Sequence, residues 1–281
     1  MGLRGELSAA RTRNQLRAEQ ARAYADGLEA YAAKVLLQDS SEGGKIDTSG
    51  DVWAIPLPST PEPGGQITAT MRDLNGRFNL NNLDPDLADA SIWKGKFVLL
   101  LQALGLDRAI ADNVAAWMNP DPGAGTTDVD EAYYLGRPVP YRAAQREFTH
   151  VSELRLVKAV DGDTYAKLAP YVSALPAGST INVNTASVPV LMTLNRNMTE
   201  ELAQSLWQQG QARYKDLKAL TQAQPLLGGI ENPGCYGVTS SYFLARGDVT
   251  LDGLPFTFYS VIERREGGGI KVIRRSRGGD E

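Results

Sequence analysis

An apolar–Asn–apolar–Asn string occurs twice in this chain, as Phe78-Asn79-Leu80-Asn81 and again as Ile181-Asn182-Val183-Asn184. Each copy leads into a helical pattern. An asparagine amide can close a turn on the backbone and cap the free N–H groups of a helix that follows. Two such punctuation marks bracket one block of sequence and predict a helical unit inserted into another framework. No catalytic chemistry needs a string of this kind, so its meaning is architectural.

The framework is read from the flanks. Leu7 to Gln38 reads as one helix, polar in its first half, with Tyr24, Leu28, Tyr31 and Val35 at helical spacing on one apolar stripe. Val52 to Ile55 reads as a short strand cut off by Pro56 and Pro58, and Gln66 to Met71 alternates like a half-buried strand. Asp84 to Gln224 is mostly helical, interrupted by a polar loop from Asn119 to Arg146. Three strands close the chain, over Val238–Val249, Pro255–Arg264 and Ile270–Arg275, with turns at Asp252-Gly253 and Gly267-Gly268-Gly269. The expected fold is α+β: an N-terminal helix packed on an antiparallel sheet, with a large all-α domain inserted between strands. The boundaries this reading gives are 1–83 for the stem and first strands, 84–224 for the insert and 225–281 for the closing strands.

Several chemistries are excluded or weakened by composition. The only histidine, His150, sits at a helix start beside Thr149, the residue expected to cap that helix, and reads as capping rather than catalytic. No Gly-x-Ser-x-Gly, phosphate-binding loop or His-Glu-x-x-His pattern is present, and no enzyme is expected. One cysteine, Cys235, rules out an intrachain disulfide. The net charge of −4 argues against a dominant phosphate-binding surface. The rival reading is a nucleic-acid binder, because the run from Ile181 to Leu194 resembles the first half of a helix-hairpin-helix module. Its hairpin position, Asn195-Arg196-Asn197-Met198, lacks the glycines that bring backbone N–H groups to a phosphate.

The best candidate for a ligand site is acidic. Asp121, Asp128, Asp130 and Glu131 lie within eleven residues, among Gly and Thr that let the chain curl. Hard oxygen donors on a pliant loop suit Ca²⁺. The spacing is not that of an EF-hand: counting from Asp121, Thr126 and Ala132 stand where Gly and Glu are needed. Tyr133, Tyr134 and Tyr141 form an aromatic cluster that reads as partner surface or as packing that pins this loop, while Trp93 and Trp117 read as core.

The run Asp73-Leu74-Asn75-Gly76-Arg77-Phe78-Asn79-Leu80-Asn81-Asn82-Leu83 resembles the signature of the K-type minor pseudopilins of bacterial type II secretion (general secretion pathway protein K). The similarity continues through Ala116–Asp121, Pro140-Tyr141-Arg142, Val151–Arg155 and Ile181–Ala186, and spans roughly residues 14 to 265. The resemblance implies a pilin-like fold with a helix-hairpin-helix or SAM-like insert and a non-enzymatic place at the tip of the secretion pseudopilus. It also implies Ca²⁺ in the inserted domain. This chain departs from the family there, with Thr126-Thr127-Asp128-Val129-Asp130-Glu131 where Gly-Ala-Glu-Asp is usual. The implied partners are the I-type and J-type minor pseudopilins, other pseudopilins of the filament and secreted cargo. Contact with the I and J types is expected through the stem residues Tyr24, Leu28, Tyr31 and Val35. The implied location is the periplasm, with an inner-membrane anchor ahead of Met1 that this sequence does not carry.

Overall fold

The computed structural model describes residues 2–41, 46–119, 128–265 and 267–277, with side chains undescribed at 2–6, 41 and 128–131. The chain forms two compact units. One comprises Met1–Gly44, Gly50–Asp73 and Ser241–Asp280; the other comprises Lys45–Ser49 and Leu74–Ser240. The boundaries expected after Leu83 and after Gln224 therefore lie instead after Asp73 and after Ser240. The asparagine signature from Leu74 onward belongs to the insert, and so does the segment up to Ser240.

The first unit begins with α1 (Gly2–Ser41), followed by β1 (Leu57–Glu62) and β2 (Gly65–Asp73). The insert carries β3 (Phe78–Asn79), α2 (Ala90–Ala103), α3 (Ala109–Met118), α4 (Asp128–Leu135), α5 (Gly162–Leu168) and β4 (Val172–Ser173). It continues through β5 (Ile181–Asn182), α6 (Val188–Leu191), α7 (Glu200–Trp207), α8 (Leu217–Ala223) and β6 (Tyr236–Gly237). The chain then returns to the first unit as β7 (Tyr242–Leu251), β8 (Leu254–Arg264) and β9 (Ile270–Arg277).

In the first unit five antiparallel strands run in the order β1-β2-β7-β8-β9. β2 and β7 pair without a break from Gly65↔Leu251 to Asp73↔Phe243, so the insert leaves and re-enters between two hydrogen-bonded neighbours. Two expectations fail at the start of this sheet. Val52–Ala54 is a 3₁₀ turn that buries Trp53, not a strand, and the first strand instead runs through Pro58 and Pro61. Proline is tolerated there because β1 is an edge strand with a register shift between Leu57 and Thr60, so few ladder bonds need its missing N–H.

The second half of α1 lies on this sheet. Ala21, Ala32 and Leu36 are fully or almost fully buried, whereas Leu7 and Leu16 are exposed. One cluster joins Val35 and Leu36 to Trp53, Phe243 and Ile262, and another packs Leu28 and Tyr24 against Ile67, Val249 and Phe258. Gly247 makes the close approach possible: a Cβ there would stand 2.2 Å from Leu28 Cδ1. Ion pairs pin the helix along its length, Arg17–Asp252 at 2.9 Å, Glu29–Arg275 at 2.7 Å and Asp39–Arg264 at 3.0 Å. Burial alone would raise the Glu29 pKa, but the Arg275 guanidinium and the Ser260 hydroxyl outweigh it and hold the carboxyl below its ordinary value.

A group whose pKa is depressed on folding contributes stability above its unfolded value, about 4.3 for Glu, and loses that contribution as pH falls through the folded pKa. Thermal melts from pH 6 to pH 3 should therefore fall more steeply for the wild-type chain than for Glu29→Gln. Parallel curves would mean that the pair contributes nothing to stem docking.

Candidate functional site

The two asparagine motifs meet inside the insert. Asn182 N–H donates to the Asn75 carbonyl at 2.9 Å, and Asn75 Nδ2 donates to the Thr180 carbonyl at 2.9 Å. A Cβ on Gly76 would lie 2.7 Å from the Thr185 carbonyl oxygen, so the signature requires glycine at that point. Sequence reading located both motifs but gave no sign that they touch.

Within each motif the first asparagine turns the chain while its Nδ2 also donates to a distant carbonyl, that of Pro176 for Asn79 and that of Asp47 for Asn182. The second grips distant backbone with both sides of its amide. Asn79 Oδ1 accepts from Asn81 N–H, and Asn182 Oδ1 accepts from Asn184 N–H, as expected of local caps. Asn81 instead pairs with a distant backbone: its Oδ1 accepts from Phe148 N–H at 2.7 Å, and its Nδ2 donates to the Phe148 carbonyl at 2.9 Å. Asn184 does the same to Tyr214, at 2.7 Å and 3.0 Å. Phe148 and Tyr214 each stand two residues before a helix cap, His150 for the turn Val151–Leu156 and Asp216 for α8. Each motif also lies in a short parallel bridge, Phe78↔Val172 in one half and Ile181↔Tyr236 in the other. The insert is thus one plan used twice, each half folding around a buried Asn amide that doubles as a backbone mimic. The small bridges make it not purely helical.

Other candidate residues resolve plainly. His150, not Thr149, caps its turn through Nδ1, and Glu153 answers by accepting from the Thr149 and His150 N–H groups. Trp93 and Trp117 are core, and Tyr134 is buried against Trp117 and Tyr141. Tyr141 donates to the Leu156 carbonyl, which ties the segment after α4 to the turn Val151–Leu156. Arg196, at the hairpin of the nucleic-acid reading, pairs with Glu231 at 2.9 Å. Cys235 is buried, which pushes its thiol pKa up.

Lys96 escaped the sequence reading entirely. It is only 2 % exposed, donates to the Thr193 and Glu231 carbonyls at 3.0 and 2.7 Å, and lies over the Tyr236 ring. Burial lowers its pKa, against the pull of Glu231.

Asp121 lies outside the described residues, and so do the side chains of Asp128, Asp130 and Glu131; the backbone from Asp128 opens α4, so the expected polar loop contains a helix. On the stem, Val35 is buried and Leu28 and Tyr24 pack on the chain's own sheet. Tyr24 and Leu28 remain half-buried, and Tyr31 is 45 % exposed.

Two family models described as type II secretion system protein K match the chain, over residues 76–177 and 181–236. They divide the insert where its two halves divide. A type II secretion system protein K from Pseudomonas aeruginosa is 34% identical over 98% of this chain and 86% of its own length, and one from Aeromonas hydrophila is 30% identical over 100% and 92%. This chain belongs to the type II secretion system protein K family. Its fold matches a chain in the crystal structure of the GspK-GspI-GspJ complex from the enterotoxigenic Escherichia coli type 2 secretion system, with a TM-score of 0.82, 29% identity and coverage of 96% and 99%. The α+β pilin-like architecture and the role of a minor pseudopilin, a structural component of the secretion system, follow from this membership. Nothing in these similarities supports the nucleic-acid reading.

Replacing Asn81 by Leu would leave Phe148 N–H and the Phe148 and Leu175 carbonyls without their buried partner. At roughly 1–3 kcal/mol for each of the three stranded buried groups, the expected loss in urea unfolding is about 3–9 kcal/mol. A loss below about 1 kcal/mol would show that the amide is not what holds this half together.

Proposed function

We propose that this protein K is a non-enzymatic assembly subunit that caps the tip of the type II secretion pseudopilus, beside an I-type and a J-type minor pseudopilin. The observation that carries this reading is the match, along nearly the whole of both chains, to a protein K crystallised with such partners. A second support is steric. The insert Leu74–Ser240 is longer than the rest of the chain that carries it. A subunit with that load is tolerated at the end of a helical filament and obstructs a subunit stacked beyond it. At the tip it would help start assembly and meet secreted cargo.

The same reading places the chain in the periplasm, held to the inner membrane in the native protein by an apolar segment ahead of Met1. No helix among the described residues is long and apolar enough to cross a membrane. For the acidic segment the reading is Ca²⁺ held by Asp121, Asp128, Asp130 and Glu131. Carboxylates are the hard donors Ca²⁺ prefers, and backbone carbonyls of such a loop complete six to eight ligands.

Mixing this chain with soluble I- and J-type domains should give a stable 1:1:1 species by size-exclusion chromatography with light scattering. Separate elution at micromolar concentration would count against a partner surface on these soluble domains. For the cation, calcium titration should release heat and chelator should lower the melting temperature. An unchanged melting temperature with no heat would reduce the acidic segment to solvated surface.

A further inference from the structure

The two halves of the insert treat one tryptophan position differently. In the first half α3 carries Trp117 in its last turn, and the chain runs on through Met118–Glu147 to Phe148, the residue gripped by Asn81. In the second half α7 ends on Trp207, and only Gln208–Arg213 separate it from Tyr214, the residue gripped by Asn184. The two tryptophans hold matching places, in the last turn of the second helix after each motif. Trp117 is 2 % exposed, because the long connection brings Tyr134 and Tyr141 edge-on to its ring, with centroids 5.4 and 6.3 Å away. The short connection contains no aromatic residue. Trp207 is 36 % exposed, and among the described residues no ring packs on it.

The bare indole stands on a firm base. The Tyr214 hydroxyl donates to the Leu206 carbonyl at 3.1 Å and accepts from Gln208 Nε2 at 3.0 Å. Both chain neighbours of Trp207 are thus tied to the residue that Asn184 fixes. The chain then turns away through Gln208 and Gln209, both left-handed at φ 50° and 57°, a conformation that strains residues bearing a Cβ. Gly210 follows and backs the ring, since a Cβ there would stand 3.7 Å from Trp207 Cζ2. Rings favour edge-to-face partners at centroid separations of about 4.5–7 Å, and tryptophan is enriched among the residues that dominate protein contacts.

We infer that Trp207 is a docking platform for a tyrosine side chain of a partner protein, which covers it as Tyr134 and Tyr141 cover Trp117. The first half of the insert identifies the occupant. It has the same asparagine plan and a tryptophan at the same place, and there the chain supplies the tyrosines itself. In the second half the connection is too short to do so, and the cover comes from another chain. This surface lies wholly within the insert and does not depend on the stem or on the acidic segment.

The test uses the full chain with ¹⁵N-labelled tryptophan, the Trp207 indole resonance being identified by its loss in Trp207→Phe. Millimolar N-acetyl-Ala-Tyr-Ala-amide should shift that resonance saturably and leave those of the buried Trp53, Trp93 and Trp117 in place. N-acetyl-Ala-Leu-Ala-amide, apolar but without a ring, should shift it much less at the same concentration. No saturable response to the tyrosine peptide overturns the inference. So does an equal response to both peptides, which would make Trp207 an unselective apolar surface. A larger saturable shift with the disaccharide of N-acetylglucosamine than with the tyrosine peptide would make the indole a sugar platform, and overturns the inference as well.

Discussion

The insert depends on one hydrogen-bonding geometry: a buried asparagine amide offering donor and acceptor to the backbone of a single distant residue. Asn81 does this to Phe148 and Asn184 to Tyr214. A peptide group left in the core without partners is costly, and these segments are too short and irregular to form a ladder. The amide supplies one rung of sheet in a place where no strand fits. Aspartate lacks the donor, and glutamine is a methylene too long. That requirement explains why the string uses asparagine and why the apolar residues between, Phe78, Leu80, Ile181 and Val183, are 1 % exposed or less.

What the sequence made visible follows the range of the forces involved. The stem helix, the strands with their period of two, and the helical insert are written in local periodicity, and all are present in the structure. The motifs were legible as architecture, yet their mutual contact was not, because nothing in a one-dimensional pattern shows that Gly76 must pass against Thr185. Lys96 illustrates the same limit: its counter-dipoles are carbonyls of Thr193 and Glu231, far along the chain and without any side-chain signature. Pro58 reads in the sequence as a strand stop yet lies within β1, since proline stops a central strand but not a bulged edge.

The stem stripe meets the chain's own sheet. An apolar stripe at helical spacing says that one face must be covered, and says nothing of what covers it. Here the chain's own sheet takes Val35, Leu28 and Tyr24. The acidic segment is a different matter: the Ca²⁺ expectation there rests on donor type and on the family resemblance, not on periodicity.

The uninterrupted register of β2 with β7 sets an order of events during synthesis. When Asp73 leaves the ribosome its partner Phe243 has not been made, and the chain must lengthen through all of Leu74–Ser240 first. At roughly 5–20 residues per second this delay is on the order of ten seconds or more. Throughout it β2 waits with one edge bare, while the insert has time to collapse around its asparagines. Loop-closure entropy grows only slowly with length, so joining the sheet late costs little in equilibrium terms. The burden is kinetic: a nascent strand must stay soluble until its neighbour arrives.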